Sequence, residues 1–203
     1  MPKLHPTLWR TCRVLAGPTR LELFRLVGTR PDQRVSDLAR QLNLSLPRAS
    51  QELRRLQSRG LIQAVRLGRF VLYRPVADRL VSTAPVLLQA MQETFRLHPP
   101  AEDEQALRIA IAGSHDRRLL LLRLLLKAPW NSRELETTTA MGRDSFHRHV
   151  SLLRQGGLVQ RTGRTLAIRD NPHPLAQALV GLLRDRSPAA TPHPTVARMK
   201  APG

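Results

Sequence analysis

Residues 35–62 read VSDLARQLNLSLPRASQELRRLQSRGLI, and this stretch decides the fold. Within residues 35–42, Leu38 and Leu42 lie four positions apart, on one face of a short predicted helix. Asn43 and Ser45 follow, with side chains that favour turns. The stretch therefore begins as a short helix followed by a tight turn.

A second helix is predicted after this turn. Ala49, Leu53 and Leu56 recur at positions i, i+4 and i+7, which gives the helix one apolar face. Pro47 is tolerated in the first turn of a helix, and Gly60 is typical of a helix end. The two helices together predict a helix-turn-helix.

The neighbouring sequence extends this prediction to a winged helix. Residues 19–28 predict a preceding helix. Residues 61–76 contain two runs rich in Val, Phe, Leu and Tyr on either side of Leu67-Gly68-Arg69, which predict a β-hairpin. Helix, helix, turn, helix and hairpin is the order of a winged helix.

The same unit is present twice in the chain. A shift of about 97 residues brings Gly60-Leu61-Ile62 onto Gly157-Leu158-Val159 and Leu38 onto Leu135. The helices and hairpin of the second copy are predicted at residues 116–127, 132–139, 144–155 and 158–169. We therefore expect a mainly α fold with small β-hairpins (α+β), built from tandem duplicated winged helix-turn-helix domains.

Further amphipathic helices flank each copy. Two are predicted before the copies, at residues 8–15 and 107–111, and two more follow the hairpins. Their apolar stripes are Leu80, Ala84, Leu87, Met91 and Phe95 in the first copy and Leu175, Leu179, Leu182 and Leu183 in the second. These apolar faces must be covered by another apolar surface. We expect the copies to cover each other as an intrachain pseudo-dimer; the alternative is that each helix only thickens its own domain. A further homodimer through the same helices is also possible.

Composition sets the domain limits. Residues 98–101 contain two prolines, and Glu102, Asp103 and Glu104 then favour a helix N-terminus. We assign residues 1–98 to the first winged-helix domain and residues 99–186 to the second, each with its flanking helices. Residues 187–203 lack periodicity and are predicted to be a disordered tail.

The chain is strongly basic. It has 33 Lys+Arg against 15 Asp+Glu, a net charge of +18 and a pI near 11.8. Both halves share the excess, which favours a polyanionic partner, here double-stranded DNA. All but three of the basic residues are arginine. The planar guanidinium suits phosphate and guanine, although genomic base composition produces the same bias.

Cysteine content and hydropathy point to the cytoplasm. The single cysteine, Cys12, excludes an intramolecular disulfide. We interpret it as a buried thiol; the alternative is a redox switch between two chains. No signal segment or membrane-length apolar run is recognised. We expect a cytoplasmic, nucleoid-associated protein with no membrane partner.

Several segments of the first copy carry a family resemblance. Residues 15–23 (LAGPTRLEL), 35–39 (VSDLA), 44–47 (LSLP) and 60–62 (GLI), in this order, resemble ArsR-type winged-helix transcriptional regulators. The second copy resembles them more weakly. The resemblance implies a DNA-binding transcriptional regulator, and a repressor that occludes a promoter is the simplest form. Members of that family are usually homodimers of one winged helix each, so this chain is expected to carry both halves fused.

The second helix of a helix-turn-helix enters the major groove, so its outward side chains are the predicted DNA contacts. In the first copy these are Arg48, Ser50, Gln51, Arg54 and Arg55. In the second copy they are Ser145, His147, Arg148, His149 and Ser151. Gln51 suits adenine and Arg48 suits guanine, whereas Arg54 and Arg55 are better placed for phosphates. A solvated polar face is the alternative.

The two predicted recognition helices differ at one aligned position. His149 stands where the family commonly has histidine, and its first-copy counterpart is Glu52. A carboxylate in the groove repels phosphate unless it accepts from cytosine or pairs with an arginine such as Arg48 or Arg55. We therefore expect an asymmetric or pseudo-palindromic site, with half-sites about one helical turn, roughly 34 Å, apart.

The hairpin tips add four candidate phosphate contacts, Arg66, Arg69, Arg161 and Arg164. The alternative is that these wings only remain solvated.

No metal, cofactor or catalytic site is expected. The resembled family's metal sensors use a cysteine pair on the helix that matches residues 35–42, which here has neither Cys nor His. Glu93, His98, His173 and Asp185 lack convincing ligand spacing. No phosphate loop, nucleophile elbow or carboxylate pair is present, so an enzyme is not expected.

Two other functions stay open. One is a non-sequence-specific nucleic-acid-binding, chromosome-organising protein. Its affinity for DNA would fall steeply with salt but would be the same for different sequences. The other is a winged-helix protein-interaction scaffold, which would not bind DNA at physiological salt.

Overall fold

The computed structural model describes residues 8–184, and its first half consists of five helices and three short strands. The predicted tail at 187–203 lies outside the described residues. The helices of the first half are α1 (Leu8–Leu15), α2 (Pro18–Thr29), α3 (Val35–Gln41), α4 (Leu46–Gln57) and α5 (Ala84–Leu97). The strands are β1 (Gln33–Arg34), β2 (Gln63–Leu67) and β3 (Phe70–Arg74).

The second half has the same order of elements. A single 3-10 turn at Pro100–Glu102 leads into it. Its helices are α6 (Asp103–Gly113), α7 (Asp116–Lys127), α8 (Ser132–Thr139), α9 (Arg143–Gln155) and α10 (Pro174–Arg184). Its strands are β4 (Trp130–Asn131), β5 (Val159–Thr162) and β6 (Thr165–Ile168). The prediction of a mainly helical fold with small antiparallel sheets is confirmed.

The turn between α3 and α4 uses a left-handed residue, and so does the turn between α8 and α9. Asn43 has φ 51° and Ala140 has φ 48°, at positions 97 residues apart. Asparagine tolerates this conformation, whereas alanine adopts it at a cost. After α4 and α9, Gly60 (φ 70°) and Gly157 (φ 66°) supply the left-handed residue that turns the chain into the sheet.

Each hairpin belongs to a three-stranded antiparallel sheet. The strand order is β1-β3-β2 in the first half and β4-β6-β5 in the second. The edge strands β1 and β4 were not predicted, because two residues are too short to show a periodic pattern. Both hairpins close through a two-residue Gly-Arg turn, in which Gly68 and Gly163 have positive φ, as type II′ turns require.

One predicted stripe is corrected at its first residue. Leu80 was expected on the helix after the first hairpin, but α5 begins at Ala84 and Leu80 is 67% exposed in the preceding turn. Pro85 lies in the first turn of α5, where proline is compatible with a helix, and it limits how far the helix extends toward its N-terminus.

The flanking helices of the two halves pack against each other. Helix α1 lies along α6, and α5 lies along α10. A β-carbon on Gly113 would lie 2.8 Å from Cys12 Sγ and 3.1 Å from a methyl group of Leu179, so α1, α6 and α10 meet closely at this glycine. Buried side chains of both halves form one continuous core.

A buried arginine joins the two halves at the linker. Arg25 of α2 donates from Nε to Asp103 Oδ2 at 2.8 Å and pairs a second time with the same carboxylate. Its Nη1 donates to the carbonyls of Phe95 (3.2 Å) and His98 (3.0 Å), and its guanidinium lies 4.5 Å from the centre of the Phe95 ring. One side chain therefore holds α2, the end of α5 and the start of α6 together.

We expect Asp103→Ala to lower the free energy of unfolding by about 3 kcal/mol, because it leaves the buried Arg25 guanidinium without its counter-charge. Urea unfolding of the full chain measures this. Glu104→Ala is the matched control, since Glu104 occupies the same helical turn but pairs with Arg108 at an exposed site. That change should cost less than about 1 kcal/mol. Equal losses of unfolding free energy in the two variants would contradict the role of the Arg25–Asp103 pair in holding the two halves together.

Candidate nucleic-acid interface

The outer face of α4 carries the basic and amide side chains predicted from the sequence. Ala49, Leu53 and Leu56 are fully buried and fix which face turns inward. Of the five predicted contacts, four are exposed and Ser50 is half-buried. The exposed ones are Arg48, Gln51, Arg54 and Arg55.

Glu52 does not lie on this outer face. Its carboxylate accepts from Arg20 of α2 at 2.7 Å and from Arg55 at 2.9 Å, and the residue is buried. Burial alone would raise the pKa of Glu52, but Arg20 and Arg55 together hold that pKa below its usual value. The negative charge of Glu52 is therefore neutralised inside the first half, and part of the positive charge of Arg55 is neutralised with it.

The outer face of α9 presents a shorter polar set. His147, Arg148 and Ser151 are exposed, and Ser145 is half-buried. Phe146 and Leu153 are fully buried and orient the helix.

His149 is a correction to the predicted DNA contacts. It is only 5% exposed, and its ring packs 4.7 Å from the ring of His115, centre to centre. Arg118 Nη1 lies 3.4 Å from His149 Nδ1, which can act as the acceptor. Burial, together with the positive charge of His115, Arg118 and their neighbours, lowers the pKa of His149 to about 4. The ring is neutral near pH 7 and points away from the surface.

Sequence reasoning missed an arginine that each half uses in the same way, half-buried in the first half (Arg20) and buried in the second (Arg118). Arg20 donates from Nε to the carbonyl of Val14 at 2.6 Å, six residues back, and from Nη1 to Glu52. Arg118 donates from Nε to the carbonyl of Ala112 at 3.0 Å, also six residues back, and its Nη1 faces His149. Each arginine ties the preceding helix to α4 or α9.

A sequence signal for this arginine does exist. Arg20 and Arg118 are each the third residue of their helix, α2 and α7. A uniform shift of 97 obscures this match, because it places Arg117 opposite Arg20, whereas the shift between these two helices is 98.

The wing arginines are all exposed, in different surroundings. Arg69 lies 5.1 Å from the centre of the Phe70 ring, which Arg34 also approaches, at 3.6 Å. Arg161 donates to the carbonyl of Gly163, within its own turn, at 3.0 Å. Arg66 and Arg164 are exposed at the hairpin tips.

In the second half the wing and the recognition-helix candidate form one concave surface. A groove of about 1110 Å³ runs between α8, the start of α9 and the β5–β6 turn. Its cationic lining is Arg133, Arg143, Arg161 and Arg164, with His147 beside them. Glu134 and Glu136 also line the groove, so the structure places three of the predicted contacts around one groove with an excess of positive charge.

The remaining candidates show no ligand geometry. Among residues 8–184 no group of three or more His, Cys, Asp or Glu side chains lies close enough to hold a metal ion. His98 and His173 instead stack ring on ring at 5.2 Å. Burial raises the pKa of the Cys12 thiol to about 12, so Cys12 is a packing residue. Asp185 lies outside the described residues.

No helix in the described part of the chain has both the length and the apolar character needed to cross a membrane.

Comparison with known proteins identifies one segment of the first half. Residues 17–64 match the family described as "Bacterial regulatory protein, arsR family". The match runs from the start of α2 through α3 and α4 into β2, so it contains the helix-turn-helix of the first half. Comparison with curated proteins and with solved structures gives no match.

We expect the buried His149 to make the protein less stable in acid. The imidazole has a pKa of about 6.5 when unfolded and about 4 when folded, so the unfolded chain takes up a proton first as the pH falls. The stabilisation is complete above pH 6.5 and is lost as the pH drops toward 4.

The measurement is urea unfolding at several pH values between 7 and 4. His149→Asn should reduce the dependence of stability on pH, and the remainder comes from His173, whose pKa is also lowered to about 4, mainly by burial. His147→Asn, an exposed change two residues away on the same helix, should leave it as in the parent. An unchanged slope in His149→Asn would contradict the assignment.

Proposed function

We propose that this protein is a sequence-specific DNA-binding transcriptional regulator that represses by occluding a promoter. The observation that carries the proposal is the repeated surface: each half presents an exposed polar helix next to a hairpin tipped by Gly-Arg. The match of residues 17–64 to the arsR regulatory family supports it in the first half. The net charge of +18 supplies the attraction to DNA.

In this proposal residues 1–98 and 99–186 are two winged-helix domains that form an intrachain pseudo-dimer. Its support is the packing of α1 on α6 and of α5 on α10, together with the continuous core. A rigid pair of this kind holds two recognition helices at a fixed separation. Such a pair suits two half-sites about one helical turn, roughly 34 Å, apart.

The two recognition helices then read different bases. Gln51 and Arg148 occupy equivalent positions, 97 residues apart, and both are exposed. An amide at this position pairs with adenine, whereas a guanidinium pairs with guanine. The proposed operator is therefore asymmetric or only pseudo-palindromic.

The first test is a specificity ratio. We expect genomic fragments selected with the purified protein to bind roughly a thousandfold more tightly than a shuffled copy of the best fragment. Affinities are measured at two salt concentrations, because electrostatic binding falls steeply with salt. Equal, steeply salt-dependent affinities would instead identify a charge-driven nucleic-acid binder. No binding at physiological salt would identify a protein-interaction scaffold.

Single substitutions then test the readout. Gln51→Ala and Arg148→Ala should each weaken binding to the best fragment by about 1–3 kcal/mol and relax selection at one base pair, with little effect on the shuffled fragment. Gln57→Ala is the control for α4, because it is exposed on the same helix but at its far end. If Gln57→Ala and Gln51→Ala have the same effect, α4 does not read bases through its N-terminal half.

The wings are tested separately, because phosphate contacts carry no sequence information. Arg69→Ala combined with Arg164→Ala should weaken binding to the best and shuffled fragments alike and reduce the salt slope by about one per arginine. Arg79→Ala, an exposed change between the hairpin and α5, serves as the charge control. A loss confined to the best fragment would contradict the assignment to phosphates.

A further inference from the structure

A second basic groove lies between α1 and the C-terminal end of α4, away from both hairpins. Its volume is about 480 Å³, within the range of small-molecule sites. Its main lining residues are Trp9, Arg10, Arg13, Arg20, Arg55 and Arg59. We refer to it below as the arginine groove.

The arginine groove has more positive charge than its own residues neutralise. Glu52 is shared by Arg20 and Arg55, at 2.7 Å and 2.9 Å. Within residues 8–184, neither Arg13 nor Arg59 is in an ion pair with a carboxylate. The Nε of Arg59 is buried without a hydrogen-bond acceptor, which is rare in proteins. An anion in the groove would supply the counter-charge that Arg13 and Arg59 lack.

The second half fills the equivalent place mostly with apolar residues. The matched arginine contacts set the shift at 98 residues between α1 and α6, and it is 97 between α4 and α9. Arg10, Arg13, Arg55 and Arg59 then correspond to Arg108, Ile111, Leu152 and Gly156, and Arg108 is paired with Glu104. There α6 packs directly on α9, so that a β-carbon on Gly156 would lie 2.7 Å from that of Ala112. The fold therefore does not need arginines at the positions of Arg13, Arg55 and Arg59, and neither does any DNA contact that the two halves share.

The arginine groove also lies apart from the proposed base contacts. Arg48 and Gln51 stand in the first turns of α4, whereas Arg55 and Arg59 lie at its end and beyond. From Arg48 to the last residue of α4 the helix rises by about 14 Å. The opposite wall is α1, which packs on α6 and carries no predicted DNA contact.

We propose that the arginine groove binds a free nucleotide carrying a polyphosphate. Guanidinium forks bind phosphate oxygens in pairs, and several of them around one groove suit more than one phosphate. Trp9 supplies the aromatic surface for the base, at a place where the Arg10 guanidinium now lies 5.3 Å from the centre of the ring. Helix α1 forms one wall of the groove and also packs on α6, so a nucleotide bound in the groove changes how the two halves are placed relative to each other. This change would alter the affinity for DNA, a consequence that rests on the proposed function.

The binding test uses the full chain without DNA. Tryptophan occurs only at positions 9 and 130, so Trp130→Phe leaves Trp9 as the sole tryptophan reporter. We titrate this protein with ATP, inorganic tripolyphosphate and adenosine, and measure stoichiometry by calorimetry. We expect one ATP per chain with a change in Trp9 emission, about tenfold weaker tripolyphosphate and no adenosine binding. Equal binding of ATP and tripolyphosphate, or no saturable binding of ATP, would overturn the nucleotide assignment.

Paired variants separate this site from general charge attraction. Arg13→Gln with Arg59→Gln should weaken ATP binding at least about tenfold. Arg79→Gln with Arg123→Gln removes the same charge from exposed positions elsewhere and should change it less than about twofold. Equal losses in the two pairs would overturn the proposal.

DNA binding by the same variants identifies the source of the phosphate. The Arg13/Arg59 pair should keep its affinity for the best fragment in the absence of ATP. If it loses DNA affinity, the groove contacts the DNA backbone and the nucleotide proposal fails. A protein that binds ATP in the groove but shows no sequence-specific DNA binding would instead contradict the proposed function alone.

Discussion

The structure depends on the burial of its four flanking helices against one another. Each of them has an apolar face that its own small unit leaves uncovered, and the pairs α1–α6 and α5–α10 remove these faces from water. A fully buried leucine is worth about 1.5–3 kcal/mol, and this interface contains several. Arg25 fixes the relative orientation of α2, α5 and α6, because its two contacts with carbonyls and two with a carboxylate form only in this arrangement.

Within each half an arginine links the flanking helix to the outward-facing helix, α4 or α9. Arg20 and Arg118 bind the chain just before their own helix and reach a side chain of α4 or α9. The partner differs: Glu52 is ionised and shared with Arg55, whereas His149 is neutral because of burial and nearby positive charge. The halves therefore keep one geometry but differ in the charge beneath their outer helices.

Much of the fold could be predicted because apolar spacing and turn residues agree. The predicted ranges 116–127 and 132–139 coincide with α7 and α8, where leucine spacing and polar N-caps mark the helix limits. The start of α5 was misplaced, since Leu80 continues the apolar stripe into a turn. The side of α9 on which His149 lies could not be predicted: its burial depends on Arg118 and His115, which are distant in sequence, and a histidine suits either environment.

The differences between the halves have a common physical origin in the single chain. In a symmetric dimer every substitution appears twice, so a pocket on one protomer is repeated on the other and both recognition helices carry the same residues. Two halves of one chain are free of this constraint. Here α1 stands off α4 and leaves a groove lined by arginines, while α6 packs tightly on α9 through Gly156 and Ala112. The first half thus keeps an open, charged surface between α1 and α4, at a place where the second half is closed by the packing of α6 on α9.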